Sequence, residues 1–372
     1  MSDTLAATFE STILAHRPLH IDAPWADEVV FPYYDGLSIR NLAHTVMHLV
    51  NSRPPTGRLG TAPLDGRLWH HLQGQVQRVV LFISDGLGWR LLQQVMAEDA
   101  ETAQVVADLT GDGTLTPITS IAPSTTAVAL PSIWTGASPS ATGMVGTRLM
   151  LREMGMLVSM LFYRPLFGKH RAEVLEDWGM DLDNFMPVKT LGEELSTRRV
   201  PTHLLLQKDL YGSGLSRIMH RGVNGLARHF GYTDLWVGLR DLLRETRRKR
   251  CFVNIYWSGV DAISHLHGTT TEQTITEIRR ELVDLRAALL EDGVGDGQTL
   301  FMFTADHGHV PVPNYINLAH HTPLMETLRC GLGGEGRFSY AYLRHDHRQA
   351  AIDYVQSHFA DQVAAVLPDE AL

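Results

Sequence analysis

Three short runs of this chain leave little choice of fold. Val79–Ser84, Cys251–Trp257 and Thr299–Thr304 are almost unbroken in apolar and β-branched residues. A strand with one wet face alternates polar and apolar residues. A strand that is apolar throughout is buried on both faces, as in a parallel sheet covered by helices. Between the second and third runs, Ile275, Ile278, Leu282, Leu285 and Leu289 recur at helical spacing, and Gly293 to Gly297 supplies a stop. Strand, helix and strand in that order form a βαβ unit. The expectation is a three-layer α/β/α sandwich around a mostly parallel central sheet, with a smaller inserted cap.

Each run ends in residues that do chemistry. Asp85-Gly-Leu-Gly88 follows the first at once, and Ala305-Asp-His-Gly-His309 follows the third. The second leads into Ser258 to Gly268, where Asp261 and His265 are four apart and share one helix face. Each has an ordinary reading too: Asp-Gly is a turn dipeptide, Asp261 a helix cap, His265 a packed side chain. Yet the C-terminal ends of parallel strands converge on one sheet edge, where α/β proteins bind ligands. Three carboxylates and two imidazoles gathered there need a counter-charge, because buried like charges repel. A divalent metal supplies it. Mixed Asp and His ligands suit zinc or manganese better than magnesium or calcium. Two such ions ~4 Å apart form the clamp used for in-line displacement at phosphorus. The neighbouring pair His70-His71 does not share a helix face and reads as surface.

A fourth element is Ile121 to Gly136, where Ser124-Thr125-Thr126 precedes an apolar segment. Hydroxyls there stand where free backbone N–H groups and the helix dipole attract an anion, or serve as a plain N-cap. Pro131 interrupts the regular hydrogen bonding of a helix at this place.

The rest of the chain frames these elements. With 372 residues, 44% of them hydrophobic, it has ample material for a large core. Residues 1–77 read as a lead-in, with Ile39, Leu42, Val46 and Leu49 on an amphipathic helix and a loop over Ser52 to Gly60. The hydrolase core is expected in 78–150 and 251–372, and a cap in 151–250, where Met154, Met156 and Met160 pack and Pro165, Pro187 and Pro201 mark joints. Phe338–Leu343 reads as a strand, and Ile352, Val355, Phe359, Val363 and Val366 as a closing helix. The net charge of −9 argues against a nucleic-acid polymer as partner, and Arg247-Arg-Lys-Arg250 reads as cations at a helix C-terminus. Cys251 and Cys330 are the only cysteines, too few for a disulfide framework or a thiolate zinc site. No secretory signal or membrane-length apolar run is visible, so a soluble cytoplasmic protein is expected.

Taken together, the motifs resemble the alkaline phosphatase superfamily, and within it the nucleotide pyrophosphatase/phosphodiesterase branch. The resemblance runs from about Val79 to His309 in family order. It rests on Asp85-Gly-Leu-Gly, on Pro123-Ser-Thr-Thr126 through Thr135-Gly136 and Pro139 to Gly143, on Asp261-x-x-x-His265-x-x-Gly268, and on Asp306-His307-Gly308. It implies that Asp85, Thr126, Asp306 and His307 hold one metal, and Asp261 and His265 the other. It implies Thr126 as nucleophile, a phosphothreonine intermediate, two divalent ions (zinc, or manganese) and a small phosphodiester or nucleotide pyrophosphate substrate. A phosphomonoesterase, a phosphonate hydrolase or a catalytically degenerate metal-binding protein are the alternatives on this fold. The chain departs from the pattern twice. The branch has an Asn downstream of the nucleophile, where this chain has Thr147 as the candidate substrate contact. The family also completes the second metal with a late His-Gly pair, and none follows His307-Gly308. Later histidines such as His309, His320, His321, His345 and His347 are not in the expected context, so the chain reads as a fragment lacking that ligand.

Overall fold

The computed structural model of the chain describes residues 2–18, 24–50, 62–291, 296–312, 314–360 and 362–367. The loop expected at Ser52 to Gly60 lies outside these, as does most of the helix stop expected at Gly293 to Gly297.

Ten strands are described. They are β1 (Arg78–Ser84), β2 (Arg148–Leu151), β3 (Met156–Ser159), β4 (Arg164–Pro165), β5 (Thr202–Gln207), β6 (Gly225–His229), β7 (Cys251–Trp257), β8 (Thr299–Thr304), β9 (Gly333–Gly334) and β10 (Ser339–Tyr340). The main sheet has the order β6-β5-β7-β1-β8, and every pair in it is parallel. The three apolar runs therefore lie side by side, with β1 in the middle. Alternate residues of β1 feed opposite layers. Val79, Leu81 and Ile83 join a core with the helices Leu42–Val50 and Thr126–Thr135, while Val80 and Phe82 join one with the helix Tyr232–Glu245. Phe82 stacks between Trp236 and Phe303, with ring centroids 5.7 and 5.4 Å away. The start of β1 is fixed by buried Arg78, which donates to Thr299 Oγ1 and the Thr246 carbonyl and pairs with Asp296.

Several expectations change at this level. Residues 151–250 do not form one cap, because β5 and β6 belong to the main sheet. β6 does not read as a sheet strand because it is a short, mostly exposed edge strand whose sequence, Gly-Leu-Ala-Arg-His, carries no apolar run. The first part of that region, β3 and β4, instead pairs with β2 in a small antiparallel sheet of order β10-β9-β2-β3-β4. Phe338–Leu343 shrinks to the two-residue β10, which pairs only with β9 across a tight turn. The closing helix spans Arg348–Phe359 and excludes Val363 and Val366. The lead-in helix begins at Leu42 and is buried almost all round, since it is wedged under the sheet against the Thr126–Thr135 helix. Among the described residues, no helix is long and apolar enough to cross a membrane.

Candidate active site

The sheet register places the acidic residues. Ile83 pairs with both Thr304 and Tyr256, so continuing β1 and β8 by two residues sets Asp85 level with Asp306 at the C-terminal edge. The chain leaving β7 turns into the helix Gly259–His267, whose first turn carries Asp261 and whose last carries His265. From the facing layer, the helix Thr126–Thr135 points its N-terminus at the same edge, with Thr125 as its extended N-cap.

One cluster forms on Asp85, Asp306 and His307, all buried. Thr126 Oγ1 lies 3.0 Å from His307 Nε2 and 3.4 Å from each carboxylate oxygen of Asp85. His307 Nε2 is 3.3 Å from Asp85 Oδ1 and 3.8 Å from Asp306 Oδ2. The other ring nitrogen of His307 is 3.2 Å from the Gly308 carbonyl, which makes Nδ1 the donor and turns the Nε2 lone pair toward Thr126. Asp306 Oδ1 accepts from the backbone N–H groups of Gly86 (3.2 Å) and His307 (2.9 Å), so that carboxylate is fixed by both neighbouring loops. Tyr256, from β7, donates its hydroxyl to Asp85 Oδ2.

A second group lies beside it. His265 Nε2 stands 3.4 Å and His309 Nε2 3.0 Å from Asp261 Oδ1. His265 is mostly exposed at the rim, whereas His309 is half-buried and also faces the His307 ring, 5.5 Å between centroids. Thr147 sits apart from both groups in its bonding: its N–H donates to the Glu335 carboxylate and its carbonyl accepts from Met160. His320 and His345 are exposed, and His321 bonds the Tyr354 hydroxyl at 3.0 Å.

The electrostatics mark the site as short of positive charge. Burial, then the neighbouring Asp306 carboxylate, push the Asp85 carboxyl well above the usual range. Burial likewise pushes Asp306 up to about 6. Asp261 goes the other way: burial raises it, but His309 first and then His265 and His307 outweigh that and hold it low. Asp306 Oδ2, Asp261 Oδ1 and His309 Nε2 are buried without a hydrogen-bond partner among the described residues. Unpaired buried acceptors are costly. The ligand atoms fall into two groups, Asp85, Asp306 and His307, and Asp261, His307 and His309, each gathered within 4.8 Å, and oxygen and nitrogen donors so gathered fit divalent metal.

The model of the type I phosphodiesterase/nucleotide pyrophosphatase family matches residues 79–167 and 193–372, which hold every one of these groups. The chain belongs to that family. It is a phosphodiesterase/pyrophosphatase-like hydrolase on an alkaline phosphatase-like α/β fold. Murine ectonucleotide pyrophosphatase/phosphodiesterase 5 superposes with a TM-score of 0.56 at 13% identity, over 76% of this chain and 70% of its own. An inactive variant of that murine protein in complex with AMP superposes with a TM-score of 0.54 at 13% identity, over 75% and 69%. At that identity the likeness is one of fold. No curated protein sequence matches the chain.

Two glycines of the first motif let this family's edge close. Gly86 has φ +77°, and a Cβ there would fall inside the His309 ring. Gly88 packs on Gly308, where a Cβ would come within 2.6 Å of the Gly308 Cα. That contact is backbone to backbone and cannot be relieved by a rotamer. Gly88→Ala is therefore expected to cost about 1–3 kcal/mol by overpacking, and to loosen the Asp306–His307 loop. Urea unfolding and zinc titration of the variant check both effects; unchanged stability and affinity would show that the two loops do not depend on this contact. Motif reading missed Tyr256, and it named His309 only among later histidines without the expected context. Tyr256 sits inside an apolar run, where packing is the default role. His309 follows the Asp-His-Gly motif without belonging to it.

Proposed function

We propose that this protein hydrolyses phosphodiester or nucleotide pyrophosphate bonds through a covalent phosphothreonine intermediate on Thr126. The observation that carries this is the position of Thr126 Oγ1, at a helix N-terminus and 3.0–3.4 Å from His307 Nε2 and both Asp85 oxygens.

Asp85, Thr126, Asp306 and His307 would hold one divalent ion, and Asp261 and His265 the other, with zinc or manganese favoured by the mixed oxygen and nitrogen donors. When bound, such ions lower the pKa of a contacting hydroxyl and neutralise phosphoryl oxygens. Thr126 Oγ1 attacks phosphorus, and the bond to the departing alcohol or phosphate breaks as the Thr126 O–P bond forms. Val128 and Ala129 donate their N–H groups to the Thr125 carbonyl. Those of Thr126 and Ala127 are left at the open end of the helix to meet a phosphoryl oxygen. Water then cleaves the Thr126 ester and returns the hydroxyl. Tyr256 occupies Asp85 Oδ2, which leaves Oδ1 directed at Thr126 and His307. The family name supports a diester or pyrophosphate substrate over a monoester, and the murine neighbour's AMP complex supports a nucleotide. Thr147 is the candidate substrate contact.

Turnover of bis-p-nitrophenyl phosphate, p-nitrophenyl phosphate and a dinucleoside pyrophosphate, with zinc or manganese added, tests the reading. The diester and pyrophosphate are expected to be preferred. A clear preference for the monoester, or no turnover of any with metal bound, would count against it.

A further inference from the structure

The Asp261 group holds one more donor than the sequence motif provides. His309 is fixed from behind: its Nδ1 is 3.1 Å from the Gly86 carbonyl, an atom that can only accept. Nδ1 therefore carries a proton, and Nε2 faces Asp261 Oδ1, 3.0 Å away. The two ligand atoms, both buried, stand at contact distance with no other hydrogen-bond partner among the described residues. A metal ligated by histidine shows this arrangement, with the far ring nitrogen tied to a backbone carbonyl. The spacing agrees. Oxygen and nitrogen ligands bound to one zinc at ~2.0–2.2 Å stand roughly 3–3.6 Å apart. His309 and His265 lie 3.0 and 3.4 Å from the same Asp261 oxygen, and their rings meet edge to face with centroids 5.4 Å apart. Asp261, His307 and His309 also bring ligand atoms within 4.8 Å of one another, so the two clusters adjoin through His307. Gly86 is the other half of the arrangement, because any side chain there would occupy the place of the His309 ring.

We propose that His309 is the third protein ligand of the cation held by Asp261 and His265. The ligand thus comes from the residue two beyond His307, on the same loop, and the Gly86 carbonyl orients it. This rests on the metal-dependent reading above.

The test is zinc binding by competition with a chromophoric chelator, together with zinc content after gel filtration. Wild type is expected to bind two zinc ions. His309→Gly and His309→Gln are expected to keep one and to bind the second at least ~10-fold more weakly. Added imidazole should restore the second ion to the glycine variant, whose missing ring leaves room for it. Exposed His267→Ala should match wild type. Unfolding in EDTA identifies any variant that lost its fold, and the glutamine variant keeps the side-chain volume. If either folded variant binds both ions as tightly as wild type, or imidazole restores nothing, the His309 proposal is overturned while the metal reading stands. If wild type itself binds no zinc or manganese, both fall together.

Discussion

Replacing Thr126 with Ala is expected to lower turnover of bis-p-nitrophenyl phosphate by on the order of 10³-fold or more, the scale seen when a covalent nucleophile is removed. Its neighbours cannot substitute. Thr125 is the extended N-cap and Ser124 is exposed, whereas Thr126 Oγ1 lies against both Asp85 oxygens and His307 Nε2. Thr126→Ser keeps a hydroxyl and should retain partial activity. Acid quench of the wild type during turnover, followed by peptide mass spectrometry, should place phosphate on Thr126. A Thr126→Ala protein as fast as wild type would remove the covalent mechanism and leave direct attack by water.

Asp306→Asn carries the second large effect, and it runs in opposite directions with and without metal. Asp306 is fully buried beside Asp85, and burial holds its carboxyl up at about 6 against an ordinary 3.8. In the metal-free protein the native state thus keeps a proton that the unfolded chain gives up. This makes its stability fall as pH rises from the ordinary carboxyl range to about 6 and stay lowered above that, and the raised Asp85 carboxyl acts in the same direction. An amide avoids the cost. Its oxygen can still accept from Gly86 and His307, and its nitrogen replaces the unpartnered Oδ2. Asp306→Asn in EDTA at pH 8 is therefore expected to be more stable than wild type, with a flatter pH profile. Zinc should stabilise wild type and do little for the variant, because the anionic ligand is gone. Urea unfolding at pH 5 and pH 8, with EDTA or zinc, measures all four states. A variant less stable than wild type in EDTA at pH 8, yet still stabilised by zinc, would show that Asp306 serves packing and not a cation.

β1 and β7 were legible because burial on both faces leaves an almost unbroken apolar run, and β8, although an edge strand of intermediate burial, carries the same kind of run. β1, β7 and β8 lie where their apolar runs begin and end, and Asp85 and Asp306 follow from where those runs stop. β6 carries the same parallel pairing but is a largely exposed edge strand, so its pattern fades, and β5, though mostly buried, keeps only the short apolar run Leu204-Leu-Leu206. The antiparallel sheet is harder still, since β9 and β10 are two residues each and exist only through pairing with distant partners. Within the site, Asp261 and His265 were visible because helical spacing is a local property. His309 was not, because its approach to Asp261 depends on how the Asp306 loop docks on Gly86 and Gly88. Such loop-on-loop contacts leave no periodic signal in the chain.

The most direct test is anomalous scattering at the zinc edge from crystals grown with zinc and vanadate. One peak is expected among Asp85, Asp306, His307 and Thr126 Oγ1, a second at Asp261 and His265 about 4 Å away, and vanadium bonded to Thr126 Oγ1. Peaks only at surface histidines, with vanadate away from Thr126, would contradict a metal-assisted threonine nucleophile.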